Sequence, residues 1–184
     1  MSRPHHRRHE NPMCSINPHT LRRLSASRVV LMCGISGSGK TAFATALQSR
    51  GYVRVAADVL LWEKYGADFP RLPASVRAQA FCAIGAMLAQ ALRPHLAARH
   101  KVVVDATMCR REKRRELTEL CRQYGIVPLT VYLKASPSLL AERLKHRRGT
   151  GPDDQLVTPD ELRRYCSGFE PPAPDEPHIV IEQK

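Results

Sequence analysis

Gly34-Ile35-Ser36-Gly37-Ser38-Gly39-Lys40-Thr41 fits the pattern G-x-x-x-x-G-K-[ST] at every position. A chance match in a chain of this length is on the order of one in a hundred at average composition. Arg28-Val-Val-Leu-Met-Cys33 in front of it reads as a buried strand, and Ala42-Phe-Ala-Thr-Ala-Leu47 behind it as a helix. Strand, glycine loop and helix in that order form a phosphate cradle, because only residues free of a Cβ clash can turn several amide N–H groups inward at once. Gly34, Gly37 and Gly39 supply that freedom, with Ile35, Ser36 and Ser38 lending their amides. Lys40 is placed to reach the β- and γ-phosphates, Thr41 to lend its hydroxyl to a magnesium ion, and the helix N-terminus to add its positive dipole end. The ligand this pattern predicts is a nucleoside triphosphate with Mg2+.

Strand and helix signals alternate outward from this loop. Strands are predicted at Val29 to Cys33, Tyr52 to Ala57, Lys101 to Asp105, Val127 to Leu133 and His178 to Ile181. Helices are predicted at Thr41 to Arg50, Ala74 to Arg99, Arg111 to Tyr124, Pro137 to His146 and Pro159 to Cys166. Short apolar strands separated by helices predict an α/β fold, a P-loop NTPase of three α/β/α layers with a parallel five-stranded sheet and a helical lid. Ligands in such sheets sit at the carboxyl ends of the strands, where the P-loop already lies.

The chain has 184 residues and a formal net charge of +12. Residues 110 to 148 hold eleven Lys and Arg against four Glu, and residues 1 to 28 hold six Arg against Glu10. Such a surface fits anionic partners, either nucleic acid or the nucleotide itself. Residues 1–27, with Pro4, Pro12, Pro18 and His5-His6-Arg7-Arg8-His9, read as a disordered basic tail ahead of one domain over 28–184. The tail contains no apolar segment of a secretory signal, and the sequence predicts no membrane-spanning run. Six cysteines without C-x-x-C spacing predict reduced thiols and a cytoplasmic location. Oligomeric state is not legible here.

Polar residues ending the strands are the candidates for chemistry. Asp58 follows the second strand and can accept a proton from, or orient, an attacking hydroxyl; its alternative use is to cap a helix through Leu60 to Lys64. Asp105 closes the third strand, where it can hold magnesium or cap the Ala106-Thr107 turn. Arg143 and Arg147, four apart, share a helix face beside the flexible segment Gly149 to Asp154, from which a lid could carry guanidinium groups onto a nucleotide. Arg148 fits the same description or a solvated helix end. Trp62, Tyr65 and Phe69 could wall an acceptor pocket or pack in the core.

Together these residues resemble the small P-loop kinases of the AAA-domain type, which include polynucleotide 5′-hydroxyl kinases, zeta toxins and chloramphenicol phosphotransferase. The likeness runs from about Arg28 to Ile181. It rests on Gly34 to Thr41, Asp58, Val103-Val104-Asp105-Ala106-Thr107 with Arg111 and Arg114, Glu142-Arg143 with Arg147, and Phe169-Glu170-Pro171. Trp62 to Pro70 resembles a bacterial branch labelled ATP-binding protein. The resemblance implies ATP as the nucleotide, Asp58 as general base and Arg147 as lid arginine. One position departs from it: polynucleotide kinases carry a substrate-gripping arginine three residues after the base, and here Leu61 stands there, although Arg71, Arg77 or Arg111 could take its place. The expected activity is therefore transfer of the γ-phosphoryl of ATP to a hydroxyl of a small molecule. The alternatives are a polynucleotide 5′-kinase and a nucleotide-gated binding module without an acceptor.

Overall fold

A computed structural model describes residues 13, 16–66, 69–154 and 156–184. Its centre is a five-stranded sheet, every pair parallel, in the order β2-β3-β1-β4-β5. The strands are β1 (Val29–Cys33), β2 (Val53–Ala56), β3 (Val102–Asp105), β4 (Leu129–Lys134) and β5 (His178–Glu182). Seven α-helices accompany them among the described residues: α1 (Pro18–Ala26), α2 (Lys40–Gln48), α3 (Ala57–Tyr65), α4 (Ala74–Ala97), α5 (Arg111–Arg122), α6 (Pro137–Lys145) and α7 (Pro159–Ser167). Single 3-10 turns lie at Phe69–Arg71 and Pro152–Asp154.

Because successive side chains of a strand point to opposite faces, an uninterrupted apolar strand such as β1 must be covered on both sides. Val29, Leu31 and Cys33 pack with Leu88, Leu92 and Leu96 of α4 and Leu117, Leu120 and Cys121 of α5. Val30 and Met32 face the other way, onto Phe43, Ala44 and Leu47 of α2 and Leu24 of α1. Three layers result, α/β/α. A smaller cluster of Leu140, Leu144 and Leu162 joins α6 to α7 beside the P-loop residue Ile35.

Two expectations are corrected. The disordered tail expected over residues 1–27 does not hold for 18–26, which form α1; residues 1–12, 14 and 15 lie outside the described residues. Asn17 caps α1 by accepting from the Thr20 amide at 2.8 Å, Pro18 presets its first turn, and Leu24 is buried. Tyr52 anchors its end, the phenol oxygen lying 2.7 Å from the carbonyls of both Leu24 and Ser27. Second, Ser75–Ala97 within α4 is long and apolar enough to cross a membrane, contrary to the reading that no run is. One of its faces carries Leu88, Leu92 and Leu96, spaced four apart, into the sheet-side core. Such packing suits the covering helix of a three-layer fold.

Candidate active site

The carboxyl ends of β1, β2 and β3 are brought level by register. Ala56 pairs with Asp105, and Leu31 with Val104, so Gly34, Asp58 and Asp105 all emerge at one edge. The P-loop turns sharply there, with Gly34, Gly37 and Gly39 at φ of +146°, +88° and +97°. At Gly34 a Cβ would stand 2.7 Å from the Ser38 hydroxyl oxygen and 2.8 Å from the Leu133 carbonyl, so nothing larger fits. The Gly34 amide donates to the Thr107 carbonyl at 3.1 Å, tying the start of the loop to the β3–α5 turn.

Gly39 is the N-cap of α2 and makes no side-chain capping bond, which leaves the helix N-terminus open to an anion. The Ser38 hydroxyl is buried with no hydrogen-bond partner among the described residues. The Lys40 ammonium donates to the Ile35 carbonyl at 3.1 Å. Burial holds its pKa below the usual 10.5, against the pull of Asp105 and Asp58. An orphaned hydroxyl, a desolvated lysine and a Cβ-free cradle fit a polyphosphate group, and Thr41 stands next to Lys40 at the start of α2.

Asp105 is 6% exposed and lies on the α2 side of the sheet, since Val103, two residues earlier, packs there. Its Oδ2 accepts from Arg54 Nε at 3.0 Å and Nη2 at 2.6 Å. The same guanidinium reaches Asp153, Nη1 donating to Oδ2 at 3.1 Å and Nη2 to Oδ1 at 2.5 Å. Arg54, on β2, therefore fastens the segment after α6 to the carboxylate that ends β3. The sequence reading passed over it, although one arginine inside the apolar run Val53 to Ala56 is the kind of signal that marks a buried pair. Among the described residues no cluster of three His, Cys, Asp or Glu exists. A magnesium ion would thus take few protein ligands, Thr41 and Asp105, and fill its shell with phosphate and water oxygens, as its slow dehydration favours.

Asp58 sits in the first turn of α3, whose N-cap is Ala56 and which has no side-chain capping bond. The helix-capping alternative is thus not realised. Burial, then the Asp105 carboxylate, push the pKa of Asp58 from 3.8 up to about 6, with Lys40 and Arg147 pulling the other way. A carboxylate of that pKa ionises near neutrality and retains useful basicity.

The two lid arginines are placed differently from the expectation of a shared helix face. α6 ends at Lys145, and Arg147 lies beyond its His146 C-cap. Arg143 turns to the P-loop, Nη1 donating to the Gly37 carbonyl at 3.4 Å and Nη2 to the Lys184 carbonyl at 3.2 Å. Arg147 is close enough to act electrostatically on both Lys40 and Asp58. The α5 arginines lie outside this group. Arg114, 1% exposed, forms a bidentate pair with Glu176 (2.7 and 2.9 Å) and donates to the Met108, Glu170 and Pro171 carbonyls. Arg110 pairs with Glu170 and Arg111 with Asp175. These three hold the proline-rich segment before β5.

Of the aromatic candidates, Phe69 is buried with Leu61 and Ala80, and Tyr65 packs against that cluster. Leu61, at the departure from the polynucleotide-kinase pattern, is 1% exposed and packs in that same cluster. Cys33, next to the P-loop, is buried and its thiol is pushed up to about 12, so it is no nucleophile.

An AAA domain family model matches residues 29–172. A gluconokinase from Sinorhizobium meliloti 1021 is similar in structure, at 25% identity and a TM-score of 0.59, over 84% of this chain and 81% of that one. A sugar kinase from Janibacter sp. HTCC2649 superposes with a TM-score of 0.63 at 20% identity, over 85% of each chain. The Mycobacterium tuberculosis APS kinase CysC, solved with AMPPNP and APS, gives 0.55 at 17% identity, over 86% of this chain and 90% of that one. No curated protein sequence matches the chain. With its phosphate cradle, strand order and 144 matched residues, the chain belongs to the AAA domain family and has the fold of its small P-loop kinases.

Proposed function

We propose that the protein transfers the γ-phosphoryl group of ATP to a hydroxyl of a small molecule, with magnesium as cofactor. The observation that carries this reading is the convergence of Lys40, Asp58, Asp105 and Arg147 at one sheet edge, close enough to set one another's charge. A pure nucleotide switch has no use for a half-buried carboxylate of pKa about 6 beside the phosphate lysine.

In this reading the P-loop amides and Lys40 bind the β- and γ-phosphates, with Arg143 bracing the loop from α6. Thr41 and Asp105 would hold the magnesium, which neutralises phosphate charge when bound. Asp58 orients the acceptor hydroxyl and takes its proton as the oxygen attacks phosphorus in line and the bond to the leaving ADP oxygen breaks. Lys40 and Arg147 stabilise charge spread over the transferring group. The buried Leu61 removes the arginine that the polynucleotide reading needs at that place. Gluconokinase and sugar-kinase neighbours support a small polyol acceptor.

The test is label transfer from γ-labelled ATP with magnesium to a pool of hydroxyl metabolites and to a 5′-hydroxyl oligonucleotide, wild type against Asp58→Asn. Label in a metabolite, reduced by about a hundredfold or more in Asp58→Asn, supports the reading. Label in the oligonucleotide alone, or only as free phosphate with Asp58→Asn indifferent, refutes it.

A further inference from the structure

The segment after α6, where the sequence predicted a lid, and the carboxylate that ends β3 meet in one side chain, Arg54. In the β2–β3 register Arg54 stands opposite Val103, two residues before Asp105, so Arg54 and Asp105 point to the same face of the sheet. β2 is the edge strand on that side, and the guanidinium also reaches past the sheet to the turn Pro152–Asp154. Its fork is divided. Nε and Nη2 donate to Asp105 at 3.0 and 2.6 Å, while Nη1 and Nη2 donate to Asp153 at 3.1 and 2.5 Å. Both bonds to Asp105 end on Oδ2, and among the described residues none is made to Oδ1. Asp105 is thereby held by one oxygen while the other stays open to a cation.

That division depends on Asp153. The Arg54 side chain is 12% exposed and that of Asp105 5%, so neither can exchange its partner for bulk water. A guanidinium with a single carboxylate takes it bidentate, one N–H to each oxygen. Without Asp153, Arg54 would therefore cover Oδ1 as well as Oδ2. Asp153, with a side chain 40% exposed, draws half of the fork away and keeps Oδ1 clear. The turn that carries Asp153 packs on α3, the helix of Asp58, and the same segment carries Arg147, which acts on Lys40 and Asp58.

We infer that Arg54 and Asp153 are positioning residues that couple the docked segment to the metal site, Asp153 holding Arg54 so that Asp105 presents one unencumbered oxygen to magnesium. This rests on the reading of Asp105 as a magnesium ligand. Asp153 acts through Arg54, and Arg54 through Asp105. When the segment lifts, Oδ1 is covered and magnesium binds weakly; when it docks, Oδ1 is exposed and magnesium binds tightly. Because such coupling is reciprocal, bound magnesium in turn favours the docked segment. Groups that hydrogen-bond a metal ligand from behind typically carry about tenfold to a hundredfold in metal affinity, and Asp153, one residue further out, is expected to carry about fivefold or more.

The test uses the full chain and a fluorescent, non-hydrolysable ATP analogue titrated with magnesium. Asp153→Asn is expected to raise the magnesium concentration at half-saturation by about fivefold or more, with affinity for the analogue in the absence of magnesium within about twofold of wild type, and Asp153→Glu to restore most of the loss. Hydrogen exchange in residues 146–154 is expected to slow in wild type when magnesium joins the analogue, and to slow less in Asp153→Asn. In an Arg54→Gln background Asp153→Asn is expected to add nothing, as two members of one relay require. Folding of every variant is checked by circular dichroism, and the Asp153→Asn and Asp153→Glu pair decides the matter should Arg54→Gln not fold. The same magnesium dependence in wild type and Asp153→Asn, a loss that Asp153→Glu does not restore, a loss undiminished without Arg54, exchange slowed alike in both proteins, or no magnesium dependence in any sample overturns the inference. Label transfer on the same samples separates the two claims. A magnesium shift that needs both residues, with no phosphorylated product, leaves the coupling and removes the kinase reading; phosphorylated product with a magnesium requirement indifferent to Asp153→Asn does the reverse.

Discussion

Asp58→Asn should make the nucleotide-free protein more stable at neutral pH while removing phosphoryl transfer. The carboxyl's pKa rises from 3.8 to about 6 on folding because burial and the neighbouring Asp105 carboxylate outweigh Lys40 and Arg147. The folded state thus holds a proton that the unfolded chain gives up, and the stability Asp58 contributes is complete below pH 3.8 and is lost as pH rises through about 6. The interval between those values, at about 1.4 kcal/mol for each tenfold, amounts to about 3 kcal/mol. Asp58 keeps some contact with solvent, and screening reduces this to about 1–2 kcal/mol. An uncharged asparagine does not carry that penalty at pH 7 or 8. For a chain of this length the gain corresponds to a rise of about 2–8 °C in Tm. The measurement is thermal denaturation of both proteins, free of nucleotide, from pH 4 to pH 8. The gap between them should be small near pH 4, widen through about pH 6 and be constant above pH 7. An Asp58→Asn protein no more stable than wild type at pH 8, or a gap that does not change with pH, would refute the argument.

Arg54→Met should leave Asp105, 5% exposed in its side chain, buried without its cation. Breaking a buried pair from one side costs about 3–5 kcal/mol, so Tm should fall by about 6–20 °C, with part of the loss recovered in Arg54→Met combined with Asp105→Asn; a fall under about 2 °C refutes it. Gly34→Ala should weaken binding of a fluorescent ATP analogue by more than about tenfold, because the new methyl meets the Leu133 backbone carbonyl at 2.8 Å and a φ of +146°. Unchanged affinity would mean that the cradle's shape is not set there.

What the chain revealed in advance follows the distance over which each signal acts. The P-loop is local: glycine spacing, a strand before it and a helix after it are all written within twenty residues, and the structure returns them in place. Strand alternation and the two strand-ending aspartates are local in the same sense. α1 escaped because its stability is not local; Leu24 and the Tyr52 hydroxyl that anchors it meet only in the folded chain. Arg147 escaped its expected helix face because α6 stops at Lys145, a boundary that propensity places poorly. Arg54 depends on a partner far along the chain, Asp153, so its pairing became visible only when β2 and the segment after α6 were brought together.

The charge tells a related story. A surplus of positive residues between 110 and 148 looked like a surface for anionic partners, yet Arg110 at the N-cap of α5 and Arg111 and Arg114 within it are spent on Glu170, Asp175 and Glu176, all from the proline-rich segment that leads into β5. Most of that segment lies outside helix and strand, and the arginines supply donors to it, Arg114 alone reaching the Glu170 and Pro171 carbonyls. The cations at the P-loop edge of the sheet come from elsewhere: Lys40 from the P-loop itself, and Arg143 and Arg147 at and after the end of α6. Counting the positive residues therefore overstates the cationic surface, because the arginines at the start of α5 already have carboxylates within 3 Å.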